Sequence, residues 1–174
     1  MLKLLTVAIV AFSVTIVNIY SLSVTNINGG TIRFNKFKNK KILVVNTATG
    51  NTQANQQFTE LQQLYQQHKS NLVIIAFPSN SFGNEPGTNN QIKTIMHGTY
   101  GITFPIAAKS WITGDSANIL YKWFANKLQN DVMDAKTVKD FQKFLIDKSG
   151  NIIGRFDSSV SPLSSIIINA IQQN

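Results

Sequence analysis

The chain contains no cysteine. That absence removes disulfides, thiolate metal sites, CxxC redox motifs and every thiol nucleophile at once. It says little about compartment, since a cysteine-free protein is stable in either. Acids are scarce as well: eight Asp and Glu stand against sixteen Lys and Arg, and the only histidines are His68 and His97. So few scattered ligands argue against a metal centre. His68 closes a helical stretch, where a cation complements the helix dipole, and His97 falls in a polar helical segment. No GxSxG elbow surrounds Ser79 or Ser81, and the glycines from Gly83 to Gly87 do not form a GxxxxGK[ST] phosphate loop. Neither repeats nor low-complexity linkers interrupt the chain.

What is present fits one globular unit. A chain of 174 residues with 43% apolar and 14% charged side chains has enough apolar material for a core, and much of its polar surface is Asn, Gln, Ser and Thr. The net charge of +8 is partly concentrated in Arg33, Lys36, Lys38, Lys40 and Lys41. Such a run suits an anionic partner or a solvated edge around a hairpin. The solvated edge is the favoured reading, and nucleic acid is not expected. At the N-terminus, Lys3 precedes Leu4 to Val17, fourteen residues without a charge. That length suits a secretory signal better than a membrane span. Residues 1–17 are therefore read as a signal-like or anchor segment, 18–174 as the domain, and the protein as exported: periplasmic, secreted, or anchored and facing outward.

Turn chemistry and periodicity order the rest. Ile19 to Val24 and Thr31 to Phe34 alternate around Asn28-Gly29-Gly30, a β-hairpin signal. Lys41 to Asn46 and Leu72 to Phe77 are nearly continuous apolar runs, as strands buried on both faces should be. Between them, Phe58, Leu61, Leu64 and Tyr65 recur at helical spacing from Ala54 to Lys69, giving a right-handed βαβ unit. Pro78 to Gly87 is a loop dense in turn formers. Helices are predicted over Gln91 to Tyr100 and Ser116 to Leu128, with a short edge segment at Phe104 to Ala108. Phe141 to Asp147 and Asn151 to Phe156 form a second hairpin around Lys148-Ser149-Gly150. A last helix follows, with Ser161 as N-cap, Pro162 at the first helical position and Leu163, Ile166, Ile167, Ala170 and Ile171 on one stripe. Trp111 and Trp123 are assigned to core and edge packing.

This order predicts an α/β, thioredoxin-like three-layer fold: a mixed central sheet flanked by helices, with an N-terminal β-hairpin. In that architecture the chemistry falls at the end of the first parallel strand, here Leu43 to Thr52 (LVVNTATGNT), where strand, turn and helix N-terminus meet. The residue at the turn is Asn51, an amide with no proton to lose near neutral pH.

The segments IYSLSVTNINGGTIRFNKFKNKKILVVNTAT, LQQLY, FPSNSFGNEPG, YGITFP, LYKWF and FQKFLIDKSGNIIGRF, in this order and spacing, resemble the glutathione peroxidase family from about Asn18 to the C-terminus, with about one residue lost around Asn84. The resemblance implies hydroperoxide reduction and a role in oxidative stress. It implies a selenocysteine or cysteine nucleophile assisted by Gln, Trp and Asn. Carried over residue by residue, the nucleophile falls on Asn51, the Gln on Ser81, and the Trp-Asn pair on Lys139 and Asp140. The cysteine that some members use to resolve a disulfide falls on Ser79. All four tetrad positions depart from the family pattern, and Lys139 and Asp140 are of opposite charge and able to pair. An Asn amide cannot become a thiolate or pass through a sulfenic acid.

The expectation is a family member that binds a protein or small molecule at the former active-site surface, without metal or cofactor. The alternatives are a peroxidase acting by family-like chemistry, with glutathione or another thiol as donor, and an envelope-associated structural protein using its basic hairpin and N-terminal segment at a membrane. Phe82 and Phe104 are expected at the rim of the site.

Overall fold

The computed structural model describes residues 16–135 and 139–173. Most of the apolar N-terminal run lies outside them. Among the described residues no helix is long and apolar enough to cross a membrane.

Two parallel strands form the centre because their sequences are apolar on both faces. β3 (Lys41–Thr47) and β4 (Leu72–Pro78) are buried at every position and pair in register from Lys41–Leu72 to Thr47–Pro78. The alternation of side chains then sorts the core into two layers. Ile42, Val44, Val73, Ile75 and Phe77 face one cluster, and Leu43, Val45, Leu72, Ile74 and Ala76 face the other. β5 (Lys143–Ile146) pairs antiparallel with β3, and β6 (Ile152–Phe156) closes the order β4-β3-β5-β6. The two are joined by a turn in which Gly150 takes φ +94°, a conformation that favours glycine.

The amphipathic helix α1 (Ala54–His68) lays Phe58, Leu61 and Leu64 on the second layer, together with Ile167 and Ile171 of α5 (Ser165–Gln172). On the first layer sit the hairpin β1 (Ser23–Thr25) and β2 (Thr31–Arg33) and the helix α3 (Ile119–Phe124), which contributes Leu120, Trp123 and Phe124. Val17 is tied in here: its N–H donates to the Gln129 carbonyl at 2.9 Å, and its carbonyl accepts from the Trp123 indole at 2.7 Å. The fold is the expected thioredoxin-like one, hairpin included.

Several local expectations are corrected. The helix predicted over Ser116 to Leu128 is broken at Ala125–Asn126 into α3 and a short α4 (Lys127–Asn130). Asparagine side chains account for the break. Asn126 Oδ1 caps α4 through Leu128 N–H, and the buried Asn130 amide takes the carbonyls of Trp123, Phe124 and Met133. The segment read as Gln91 to Tyr100 starts earlier, as α2 (Asn89–Thr94) with a capping box from Thr88 and Gln91, and widens into a π turn over Ile95–Thr99. Ser161 is not the last helix's N-cap. Its hydroxyl accepts from Leu163 N–H in a separate turn, and Ser164 precedes the helix, which rotates Ile166 outward to 63% exposure. Trp111 is likewise outside the core, 54% exposed. Lys41, counted with the basic run, is buried, and its ammonium donates to the Ala170 and Gln173 carbonyls.

Candidate functional site

The C-terminal end of β3 is the focus. Beyond Thr47 the chain turns at Thr49–Gly50, and α1 begins at Ala54. The turn needs glycine: a Cβ on Gly50 would lie 2.7 Å from the Asn84 carbonyl oxygen, which accepts the Gly50 N–H at 3.0 Å. One backbone contact thus joins the turn to the Pro78–Gly87 loop.

Asn51 follows, half-buried, and both ends of its amide are committed. Its Oδ1 accepts from Gln53 N–H at 2.9 Å, which supplies a partner at the start of the helix, and its Nδ2 donates to Asp140 Oδ2 at 3.0 Å. Asp140 is 5% exposed, and the same Oδ2 accepts from Asn84 Nδ2 at 2.6 Å. Its Oδ1 is buried without a partner among the described residues. Asp140 reaches this position because Phe141 adopts φ +59°, uncommon for a bulky residue. That conformation is held by the Phe141 N–H bond to the Asn46 carbonyl at 2.7 Å and by packing of its ring on Phe58 at 5.2 Å.

Of the four expected positions, Asn51 and Asp140 are brought into direct contact. Lys139 is exposed and does not pair with Asp140, contrary to expectation: the carboxylate is turned inward to the two amides instead. Ser81 shares the Pro78–Gly87 loop but bonds elsewhere. Its hydroxyl accepts from Ser79 Oγ at 2.9 Å and from Ile112 N–H at 3.0 Å. Of the two aromatics expected at the rim, Phe82 is 36% exposed and Phe104 is buried in the second core layer.

Asn84 and Glu85 are part of the site and escaped sequence reasoning. Glu85 is fully buried, accepting from Thr49 N–H at 2.6 Å and Thr49 Oγ1 at 2.9 Å. The signal was there: Glu85 is the single charged residue in PSNSFGNEPG. Removing it leaves a part-buried N–H and a hydroxyl of Thr49 without their partner. Glu85→Ala is therefore expected to cost about 2 kcal/mol, read as a fall in the denaturant midpoint at unchanged slope.

Beside the turn lies a groove of about 650 Å³. Thr49, Gly50, Pro86 and Gly87 form one wall, and Asn90, Gln91 and Thr94 of α2 form the other. No charged side chain lines it. Among the described residues no group of three or more His, Asp or Glu side chains is placed to hold a metal ion. The site offers two buried carboxylates, Glu85 and Asp140, several amides and an uncharged groove, with no soft nucleophile.

A central β3–β4 parallel pair, an antiparallel β5–β6 extension, helices on the sheet and a site at the β3–α1 turn define a thioredoxin-like protein. The chain belongs to the glutathione peroxidase family: the family's sequence model, described as "Glutathione peroxidase", matches residues 19–125. A glutathione peroxidase-like peroxiredoxin of Chlamydomonas reinhardtii is 39% identical over 150 residues, covering 83% of this chain and 90% of that protein. A glutathione peroxidase homologue of Staphylococcus epidermidis is 39% identical over 141 residues, covering 80% and 88%. Among solved structures, one described as Trgpx in apo form superposes with a TM-score of 0.68 at 30% identity, covering 90% of this chain and 96% of the other. A thiol:disulfide interchange protein of Chlorobium tepidum superposes at 0.64 with 18% identity, covering 93% and 99%, a likeness of fold alone.

Proposed function

We propose that this family member does not reduce hydroperoxides by thiol chemistry, and that it uses the surface around Asn51 to bind a protein segment or small molecule. The carrying observation is the amide of Asn51, hydrogen-bonded at both ends to Gln53 and Asp140, in a chain without cysteine. Reduction of an O–O bond needs a polarizable, readily deprotonated nucleophile that can be oxidised and then regenerated. An amide held in this way has neither property. By the resemblance, Ser81, Lys139 and Asp140 stand where the family carries its assisting Gln, Trp and Asn. The adjoining groove supports the binding role: its surface is mostly apolar and no charged side chain lines it, which suits an uncharged ligand or an apolar segment. The N-terminal run of residues 4–17 supports an exported protein.

The test is a peroxidase assay on the full chain with hydrogen peroxide and with a lipid hydroperoxide, each supplied with glutathione and with a thioredoxin system. No turnover is expected. The variant Asn51→Cys/Ser81→Gln/Lys139→Trp/Asp140→Asn, run beside it, is expected to gain turnover, because the scaffold and turn are retained. Wild-type turnover would overturn the proposal and favour the activity that the relatives' names carry.

A further inference from the structure

A second groove, of about 320 Å³, opens between the β1–β2 hairpin, the 3₁₀ turn Phe34–Phe37 and the end of the π turn. It shares no lining residue with the groove beside Gly50. Three of its lining side chains, Arg33, Lys36 and His97, carry cationic or ionisable nitrogen, and none of its lining residues is acidic. Arg33 and Lys36 are exposed, and among the described residues neither makes an ion pair. Asn28, in the hairpin turn, and Thr103 add further polar groups at the rim.

His97 is oriented by the fold. Its Nδ1 lies 2.7 Å from the Ile102 carbonyl oxygen, which can only accept, so Nδ1 carries the hydrogen and Nε2 is the nitrogen left for a ligand. Phe37 and Pro105, both half-buried, supply accessible apolar surface in the same groove. The combination of a planar guanidinium, an ammonium, an imidazole and a small apolar wall matches an anion with several oxygens attached to an apolar group.

We infer that this groove binds a small organic phosphate monoester, with Arg33 and Lys36 on the phosphate oxygens, His97 Nε2 sharing a proton with one of them, and the organic group against Phe37 and Pro105. A monoester dianion meets the two uncompensated charges, and the volume admits a single ring or short chain. The inference does not depend on what occurs at Asn51.

Phenyl phosphate is the probe, titrated into the full chain by calorimetry, with inorganic phosphate and benzyl alcohol alongside. One-to-one binding of phenyl phosphate is expected, with inorganic phosphate and benzyl alcohol each weaker by about tenfold or more. The exposed double substitution Arg33→Ser/Lys36→Ser should weaken phenyl phosphate by about tenfold or more. Lys38→Ser/Lys69→Ser, which changes net charge equally at exposed positions outside the groove, should leave it unchanged. Circular dichroism spectra that match wild type keep both variants interpretable. Equal binding in the Arg33/Lys36 variant, an equal loss in the Lys38/Lys69 variant, or inorganic phosphate binding as tightly as phenyl phosphate would overturn the inference. Capture by phosphatidic acid vesicles or by an oligonucleotide, without binding of free phenyl phosphate, would also overturn it and point to an extended anionic surface.

Discussion

Phe144→Ala is expected to lower the unfolding free energy by about 4 kcal/mol, near the upper part of the range for buried aromatic truncations. Phe144 is fully buried on β5, in register with Val44 of β3 and Arg155 of β6. Its ring stacks on Phe124 with centroids 4.1 Å apart and planes 12° apart, and meets Tyr121 edge-on at 6.4 Å. These contacts dock α3 on the first face of the sheet. Truncation removes the ring from both the sheet and the helix, and neither can collapse onto the space without breaking the β3–β5 register. With a urea slope of about 2 kcal/mol/M for a chain of this size, the midpoint should fall by about 2 M. Ile166→Ala, at the exposed position on α5, should shift it by less than about 0.3 M. Equal effects at the two positions would show that the sheet–helix packing is not what stabilises the fold.

The residue before Phe144 points to the other face and gives the protein its strongest expected pH response. Lys143 is fully buried, and its Nζ donates to the Phe141 carbonyl at 2.8 Å and the Val160 carbonyl at 2.9 Å. Burial pushes its pKa down from 10.5 to about 8, a fall that Glu60 and Asp157 partly oppose. A neutral amine has two N–H donors, and both find carbonyls here. Because the folded pKa lies below the unfolded one, the unfolded chain binds more protons between about pH 8 and 10.5, and stability rises with pH across that window. Below pH 8 the cost of the buried charge is present in full. From pH 7.5 to 9.5 the gain should be about 2 kcal/mol, within a limiting value of about 3 kcal/mol at about 1.4 kcal/mol per pH unit. Burial also lowers the pKa of Lys41, which adds in the same direction. Beyond that window the trend reverses, because Tyr121, fully desolvated, holds its proton in the folded state while the unfolded chain loses it. Denaturant midpoints measured at half-unit steps should trace this rise. Lys143→Met should remove most of it, and a Lys143→Met profile as steep as wild type would refute the assignment.

The difference between what was legible and what was not follows from the range of the forces involved. Local pattern determined the frame. Two uninterrupted apolar runs gave β3 and β4, four apolar residues at helical spacing gave α1, and glycine-bearing turns gave both hairpins, because each signal lies within a few residues of the element it specifies. The turn at Gly50 and the presence of Asn51 after it were equally readable. Where Asn51 sends its amide was not. Asp140 lies 89 positions away in sequence, and its sequence neighbour Lys139 is the partner that opposite charge predicts for a carboxylate. Only the left-handed bend at Phe141, held by Asn46 and Phe58, turns the carboxylate inward, away from Lys139 and onto Asn51 and Asn84. The same holds for Glu85, whose partner Thr49 is brought to it by the close approach of two loops that a side chain at Gly50 would prevent.

Asparagine and serine limited the sequence reading in the other elements. Their side chains compete with the helix for backbone groups, so an apolar stripe over Ser116 to Leu128 could not reveal that Asn126 and Asn130 would divide it. Nor could Ser161-Pro162 show that Ser164 would precede the last helix. The absence of cysteine required no structure, since a chemical group missing from the chain cannot be supplied by folding it. The gathering of Arg33, Lys36 and His97 around one groove did require structure. His97 is more than sixty residues from the hairpin, and only the tertiary fold brings it to the groove that those cations line.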